Sequence, residues 1–431
     1  MQTLSLTAVI LININIMLGA GLFINTTELA HRAGALSWLA YGLVGFLMLP
    51  LILSIAQLVR MYPQDGFYGY ATKEFNPLVG FVSTWTYFIS KLASATLTAH
   101  AAATLMYALV PALQIVKPVC ISASILLLFG LLNLYNIRTG SMIQRFFIIA
   151  KIILISFVVL AGFMWFNPAH MTSIHMLWEG LPSCAPLVLF ATLGFEAACS
   201  LSSKIENPSV NGPRAIIISF LSVIGVYCIY QFFAYNMMGE SMYQLTGYQD
   251  FFASLATMIS PAMSQKIVGL LYCALAASTL GGTYGILYSN MWNIHTLARH
   301  NHIAYAGTLM RLNRHAIPMG CVMAEVAICL TYLWVSSGMP LPLQQIAAMG
   351  SSFTYFISVC ALVAAKKKRF VDFSWVIVLC GLINCFMLAA LCVVYVLRGG
   401  HATLYVFAGL FIMGISMFLA TKKASDYNPK P

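Results

Sequence analysis

The chain has 431 residues, of which 61% are hydrophobic and only 8% are charged. A soluble domain of this length would need far more charged surface, so the composition excludes a soluble protein and predicts one that crosses a membrane many times. The formal net charge is +11, but no nucleic-acid partner is expected, because the basic residues are concentrated in connectors on one side of the predicted helices.

At about 20 residues per crossing, the apolar runs predict an all-α polytopic membrane protein with twelve transmembrane helices. Short connectors separate the helices, several with Asn-Pro pairs such as Asn76-Pro77 and Asn207-Pro208. We expect no removable signal peptide, because no basic region precedes the first run. Residues 1–431 are predicted to form a single transmembrane domain with no inserted soluble domain. The predicted helices cover residues 6–30, 35–60, 77–109, 118–135, 142–166, 183–203, 213–238, 265–296, 318–336, 343–365, 374–397 and 402–421.

The basic residues predict the orientation of the chain. With the amino terminus inside the cell, the cytoplasmic segments hold most of the 22 lysines and arginines, including the run from Lys366 to Arg369. The outer loops hold only Arg32, Lys117, Lys266 and Arg398. This asymmetry follows the positive-inside rule and places both termini in the cytoplasm. Membrane lipids are the expected contact of the Lys366 to Arg369 run.

Two of the predicted helices are interrupted by glycine. In the first helix Gly19 and Gly21 flank Ala20, and each glycine costs a helix about 1 kcal/mol relative to alanine. In the sixth helix the interruption is the segment from Gly194 to Glu196. A broken helix is tolerated in a membrane only where its free backbone groups face protein, water or a ligand. Paired breaks in two halves of one chain therefore predict a transporter whose substrate site lies at the breaks.

The positions of the breaks also predict an internal repeat. Because the breaks fall in helices 1 and 6, helices 1–5 and 6–10 would form two units of opposite orientation, at about residues 6–166 and 183–365. The last two helices, at about residues 374–421, would be additions. The predicted fold is a 5+5 inverted repeat with discontinuous helices 1 and 6 and two extra helices.

Three blocks of sequence stand out on helices 1, 6 and 8. The first runs from Gly19 to Phe23, and the second runs from Phe190 to Glu196 and continues in Glu206-Asn207-Pro208. The third comprises Leu280-Gly281-Gly282 and the segment from Leu309 to Pro318. In this order the blocks resemble those of the amino acid–polyamine–organocation (APC) superfamily, and the resemblance covers essentially the whole chain. It implies the LeuT-like form of the repeat.

The resemblance implies a secondary active transporter, a permease or antiporter, that moves amino acids or related amines by alternating access. Protons or a counter-substrate would provide the coupling, and the expected location is a cell membrane, in bacteria the inner membrane. The alternatives are a membrane channel, which has no need of paired broken helices, and a membrane-embedded enzyme. No HExxH or GxSxG motif supports an enzyme. The sequence leaves open the substrate, symport or antiport, and the oligomeric state.

No cofactor or metal site is predicted. Four histidines, His295, His300, His302 and His315, lie around one cytoplasmic loop. Since no Cys, Asp or Glu accompanies them, they are expected to be solvated loop residues rather than metal ligands.

The breaks would provide the backbone groups that bind an amino acid. The amides of Ala20 and Gly21 would lie free at a helix amino-terminal end, where the helix dipole favours an α-carboxylate. The carbonyls of Met17, Phe190 and Leu193 would accept hydrogen bonds from an α-ammonium, as the resemblance implies. The alternative is that the glycines only permit close helix packing.

The resemblance implies further substrate contacts on helices 6 and 8. Gly194 would form the second break, and the ring of Phe190 would close over the substrate from the outside. Thr283 follows the glycine pair of helix 8, at a place where some relatives have an aromatic residue. The alternative for a single Phe in a membrane helix is a lipid-facing or core position.

Three ionisable residues lie at membrane depth, where charge is costly and function is the default hypothesis. Lys151, in helix 5, could release and recover a proton during the cycle, or could hold the first break with a fixed charge. Glu196 could accept a proton or bond the amides freed by the second break. Lys91, in helix 3, could face the substrate and repel cationic side chains, or could pair with a buried carboxylate, for which Glu325 and Glu196 are the main candidates.

Overall fold

The structure, a computed structural model, describes residues 3–19, 21–64, 66–135, 137–172, 178–368, 372–398 and 401–427. Within these residues the protein is almost entirely helical and has no β-strand; its two isolated β-bridges join Leu4 to Ile205 and Leu312 to Pro318. The predicted class, a helical membrane protein, is confirmed.

The described chain forms α-helices separated by short connectors. The first part contains α1 (Leu6–Met17), α2 (Gly21–Ala33), α3 (Ser37–Met61), α4 (Gly66–Glu74), α5 (Pro77–Leu109), α6 (Pro118–Leu132), α7 (Ile137–Met164), α8 (Ala169–Thr172) and α9 (Leu181–Thr192). The second part contains α10 (Ala197–Ser200), α11 (Pro208–Met238), α12 (Tyr248–Ile259), α13 (Ser264–Arg299), α14 (Ala306–Leu309), α15 (Met319–Ser336), α16 (Pro340–Lys368), α17 (Trp375–Arg398) and α18 (His401–Tyr427).

Nine helical segments of the described chain are long and apolar enough to cross a membrane, and the bent pair α1 and α2 makes a tenth. Two further apolar helices are shorter, namely α6 and the segment Trp375–Ala390 of α17. Helices therefore lie at each of the twelve predicted positions, and nine or more of them meet the length and composition of a membrane span.

Four helices lie in segments that the sequence analysis treated as connectors, namely α4, α8, α12 and α14. α4 and α12 have 9 and 12 residues, which is too short for a membrane crossing. α12 buries Phe251, Phe252 and Leu255 while its remaining turns stay more exposed. A search for membrane-length apolar runs misses such helices, because tertiary packing of one face stabilises them.

Local sequence signals place several helix starts. The Asn76 side chain caps α5 by accepting a hydrogen bond from the Val79 amide at 3.0 Å, and Pro77 occupies the first helical position. Ser5 caps α1 in the same way, with the Ala8 amide at 3.4 Å. The Asn-Pro pairs of the sequence therefore mark helix starts.

The broken helices lie next to the centre of the fold. α5 packs along α13 and α16, and α1 contacts α7, α11 and α13. Every side chain of α5 from Ser83 to Ala99 is buried, so this helix is enclosed on all sides. By contrast, α7 exposes apolar side chains such as Ile149, Ile152 and Phe163, as expected for a surface that faces lipid.

Candidate functional site

The first membrane helix is broken between α1 and α2. α1 ends at Met17, Leu18 leaves the helical conformation with ψ at 49°, and the Gly19 amide donates to the Met17 carbonyl at 2.7 Å. The helix resumes at Gly21, and the axes of α1 and α2 differ by 47°. Ala20, which was predicted to bind the substrate carboxylate, lies outside the described residues.

The second break separates α9 from α10. α9 ends at Thr192, Leu193 is extended, and Gly194 has a φ of +131°, a conformation that residues with a side chain rarely adopt. The Glu196 carboxylate accepts a hydrogen bond from the Gly194 amide at 2.8 Å. This contact matches the interpretation in which Glu196 bonds an amide that the break has freed.

The two breaks lie directly against each other. A Cβ at Gly194 would lie 2.6 Å from Cγ2 of Ile16 and 3.0 Å from the Met17 amide nitrogen. A Cβ at Gly21 would lie 3.0 Å from Cα of Ala191. Real Cβ atoms essentially never approach another heavy atom more closely than 3.0 Å. Glycine at both positions therefore permits the close approach of the breaks.

The backbone carbonyls at the breaks have partners in this conformation. The Tyr227 hydroxyl, on α11, lies 2.6 Å from the Met17 carbonyl and 2.9 Å from the Ala191 carbonyl. The Phe190 carbonyl accepts the Leu193 amide at 3.3 Å. Because a carbonyl oxygen has two lone pairs, the Phe190 carbonyl retains capacity for a second donor such as an ammonium, whereas the Met17 carbonyl would have to exchange the Gly19 amide or the Tyr227 hydroxyl for it. Their role as substrate ligands stays a prediction.

An ion pair lies beside the second break. Nζ of Lys91, on α5, is 2.5 Å from Oε1 of Glu196, and both side chains are buried. The Tyr87 hydroxyl donates a hydrogen bond to the same oxygen at 3.1 Å. Lys91 thus has a carboxylate partner, as in the second interpretation of its role, and that partner is Glu196 rather than Glu325. Pairing reduces the repulsion that Lys91 would exert on a cationic substrate.

Lys151 holds α1 just before the first break. Its buried ammonium donates a hydrogen bond to the Asn15 backbone carbonyl. The Asn15 side chain donates in turn to the Gln144 side chain and to the Gly281 carbonyl, the latter at 3.0 Å. In the described part of the chain Lys151 forms no ion pair with a carboxylate. The geometry is compatible with both predicted roles of Lys151.

Thr283 is buried on α13, level with the first break. Its hydroxyl lies 2.9 Å from that of Thr98 on α5 and donates to the Thr279 carbonyl at 3.2 Å. The preceding Gly282 faces the break, since a Cβ there would lie 3.7 Å from Cα of Gly19. A substrate contact of Thr283 stays a prediction.

Two spaces border the second break. A cleft too narrow to admit a water molecule in this conformation is lined by Ile16, Tyr87, Lys91, Gly194, Ala197, Ile286 and Ser289. A cavity of about 210 Å³ is lined mainly by apolar side chains of α3, α9, α16 and α17, among them Phe190 and Tyr355, and by Leu193 of the break. The Tyr355 phenol also lies beside the Glu196 carboxylate, so this residue connects the cavity with the ion pair.

The side chains that hold the breaks in place and that the sequence analysis missed include Asn15, Tyr87 and Tyr227. Asn15 carried a usable signal, because it is an amide inside an apolar run only two residues before Met17. The two tyrosines carried no signal, because each bonds a group that is distant in the sequence.

Comparisons with known proteins find relatives of this chain. The family model described as "Amino acid permease" matches residues 4–418. An arginine/agmatine antiporter of Chlamydia caviae is 28% identical over 258 residues, which cover 54% of this chain and 52% of the relative. An arginine/ornithine antiporter of Latilactobacillus sakei is 27% identical over 262 residues, which cover 56% of this chain and 54% of the relative.

A putative arginine/ornithine antiporter of Escherichia coli (strain K12) is 22% identical over 385 residues, which cover 83% of this chain and 80% of the relative. The chain spans about half the length of the first two relatives and most of the third. The similarity therefore extends over both broken helices and the segments between them.

Proposed function

The chain belongs to the amino acid permease family of the APC superfamily, as the resemblance of its three sequence blocks predicted, and from this we propose that it is a secondary active transporter of amino acids or related amines. The observation that carries the proposal is the crossing of two broken membrane helices at Gly194 and Met17. Unwound backbone at membrane depth is tolerated where it lines a substrate or ion path. Proteins of this family are transporters rather than enzymes, so we propose no catalytic residue.

The proposed architecture is a single domain of twelve spans over residues 1–431. The spans from α1–α2 to α7 would form one five-span unit, and those from α9–α10 to α16 would form the inverted unit, with α17 and α18 added. Two observations support this arrangement: the broken spans are five spans apart in the chain, and they contact each other in space.

The proposed orientation places both termini in the cytoplasm, and in a bacterial cell the membrane would be the inner one. The connectors assigned to the cytoplasm carry most of the basic residues, which supports this orientation. Lys366 to Lys368, at the end of α16, would contact anionic lipid headgroups on that side.

The amino-acid group of the substrate would bind at the crossing of the breaks. Its α-carboxylate would accept hydrogen bonds from the amides at the start of α2, where Gly21 lies at the positive end of the helix dipole. Its α-ammonium would donate to the carbonyls of Met17, Phe190 and Leu193. The side chain would extend into the cavity, whose described lining contains no acidic residue. A neutral side chain suits this cavity better than a cationic one, because an unpaired cation would lose its solvation.

Uptake of a panel of labelled amino acids into proteoliposomes tests this proposal. Each uptake is measured with and without a pH gradient, and with and without unlabelled substrate inside the vesicles. We expect saturable uptake that internal substrate stimulates, with arginine and lysine as weak competitors. Flux that rises linearly without saturation or stimulation would indicate a channel. Strong competition by arginine would contradict the proposed preference for neutral side chains.

Lys151 is proposed to carry the coupling proton, since it is a buried ammonium without a carboxylate partner in the described chain. Lys151→Ala is expected to abolish uptake driven by a pH gradient. The matched variant is Lys151→Arg, which keeps a positive charge near the Asn15 carbonyl but does not release its proton. We expect this variant to lose gradient-driven uptake as well. Gradient-driven uptake by Lys151→Arg would show instead that Lys151 is a fixed charge that holds the first break.

A further inference from the structure

Glu325, on α15, is a buried carboxyl that the proposed transport cycle does not use. The residue is 1% exposed, and neither carboxyl oxygen has a hydrogen-bond partner among the described residues. The ion pairs formed within the described chain do not include it. An ionised carboxylate in this place would have no compensating charge from the described residues, which is strongly unfavourable, so we expect the carboxyl group to be neutral and protonated.

None of the described groups on the helices around Glu325 forms an ion pair with it. On its own helix the thiols of Cys321 and Cys329 lie one turn away on either side. Of the packed helices, α13 presents the Asn290 amide, and α5 carries Lys91, which already has a partner. The other packed helices, α6, α14, α16 and α18, provide no described Lys, Arg or His that pairs with Glu325.

A row of buried polar side chains begins at Glu325. Asn290 lies beside the carboxyl without reaching hydrogen-bond geometry, and its amide nitrogen donates instead to the Phe88 carbonyl at 3.0 Å. The amide nitrogen of Asn293 donates to Oδ1 of Asn290 and to Oγ of Ser200, both at 2.9 Å. Since Ser200 is on α10, the row reaches the helix that follows the second break.

The row continues from α10 to the ion pair. Ser200 lies beside the Tyr87 hydroxyl, and that hydroxyl bonds the Glu196 carboxylate at 3.1 Å. Glu196 in turn holds Lys91 and the Gly194 amide. Buried polar side chains therefore lie in sequence from Glu325 to the second break.

Glu325 lies toward the proposed cytoplasmic side of the protein. It is six residues into α15, about 9 Å from the start of that helix at a rise of roughly 1.5 Å per residue. Met319, where α15 begins, is exposed, and the Cys321 thiol donates to the Leu309 carbonyl of the adjoining short helix α14 at 3.3 Å. A proton would therefore reach Glu325 from the cytoplasm when that side of the transporter opens.

We propose that Glu325 is a proton-binding site of this transporter, and that its charge state is coupled to the position of α10 through Asn290, Asn293 and Ser200. The inference rests on the proposed transport function and is separate from the role of Lys151. Protonation forms one O–H bond on the carboxyl with a proton taken from water, and release returns the proton to water. The ionised carboxylate attracts the Asn290 amide, which disturbs the bonds of Asn293 to Asn290 and Ser200.

Infrared spectroscopy of the purified protein tests proton binding without any need for transport. The unmodified protein is expected to show the carbonyl band of a protonated carboxylic acid at neutral pH and to lose it reversibly as the pH rises, whereas Glu325→Gln lacks this band. Glu74→Gln is the matched control, because Glu74 is also buried but is paired with Lys368 at 3.4 Å. Identical spectra of the unmodified protein and Glu325→Gln would overturn the proposal.

Exchange of substrate in proteoliposomes over a range of pH tests the coupling. Because Gln resembles a protonated carboxyl in size and charge, Glu325→Gln should keep the low-pH rate of the unmodified protein throughout the range. Unchanged pH dependence in this variant would overturn the coupling. Asn290→Leu, which interrupts the row but retains the carboxyl, serves as the second variant if Glu325→Gln does not fold. It is expected to keep the infrared band and to lose the pH dependence, and unchanged pH dependence would again overturn the coupling.

The two experiments separate the two proposals. If no member of the substrate panel is transported by the unmodified protein, the proposed function fails, while the infrared band still decides whether Glu325 binds a proton. If transport is measured and the band is absent, the proposed function stands and the Glu325 site does not.

Discussion

Gly194→Ala is expected to abolish transport while the protein still reaches the membrane. The added Cβ would lie 2.6 Å from Cγ2 of Ile16, and alanine would have to adopt a φ of +131°. Backbone strain of this kind costs about 1–3 kcal/mol, and overpacking adds about 1–3 kcal/mol. We expect the two breaks to move apart, which removes the backbone geometry of the proposed site. Substrate uptake into proteoliposomes, with expression measured in parallel, checks this outcome.

The same measurement on Gly21→Val tests the other contact of the breaks. The Cβ added at position 21 would lie 3.0–3.1 Å from backbone and side-chain atoms of Ala191, so we expect Gly21→Val to lose transport as well. Gly225→Val, in α11, is the matched control, because no heavy atom lies within 4 Å of an added Cβ. Normal uptake by Gly21→Val would contradict a site built from the amides of the first break.

Separation of the Lys91–Glu196 ion pair is expected to destabilise the protein by about 3–5 kcal/mol, because removal of one partner leaves the other as an uncompensated buried charge. Lys91→Met and Glu196→Gln should each lower the midpoint of thermal unfolding in detergent. The double variant removes both charges and should recover much of this loss. The four proteins form a double-mutant cycle whose coupling free energy measures the pair directly.

The pair between Glu28 and Arg32 provides the matched control for this cycle. It lies on α2 with side chains that are 47% and 30% exposed, and exposed pairs of this kind contribute about 0–1 kcal/mol. If the coupling free energy between Lys91 and Glu196 is no larger than that between Glu28 and Arg32, Glu196 is not needed to hold Lys91. Lys91 would then be available to face the substrate, which is the first of the two roles that the sequence analysis gave it.

The sequence by itself determined the class of protein, the approximate positions of its long helices and the two breaks. This was possible because the free energy of placing a segment in a membrane depends mainly on the composition of that segment. The start of α5 at Asn76-Pro77 was readable for a similar reason, since capping involves groups only three residues apart. The breaks were also readable, because each glycine weakens the helix in which it lies. The family resemblance rests on short blocks of sequence that include these glycines.

Only the tertiary structure decided which buried polar groups meet. Lys91 had two candidate carboxylates, and the fold places it against Glu196 and leaves Glu325 without a hydrogen-bond partner in the described chain. The Tyr227 hydroxyl reaches the Met17 carbonyl across 210 positions of sequence. Such contacts depend on which faces of distant helices are turned toward each other. Inside a membrane this is set by the packing of all the helices together, because lipid solvates each apolar face as well as a neighbouring helix does.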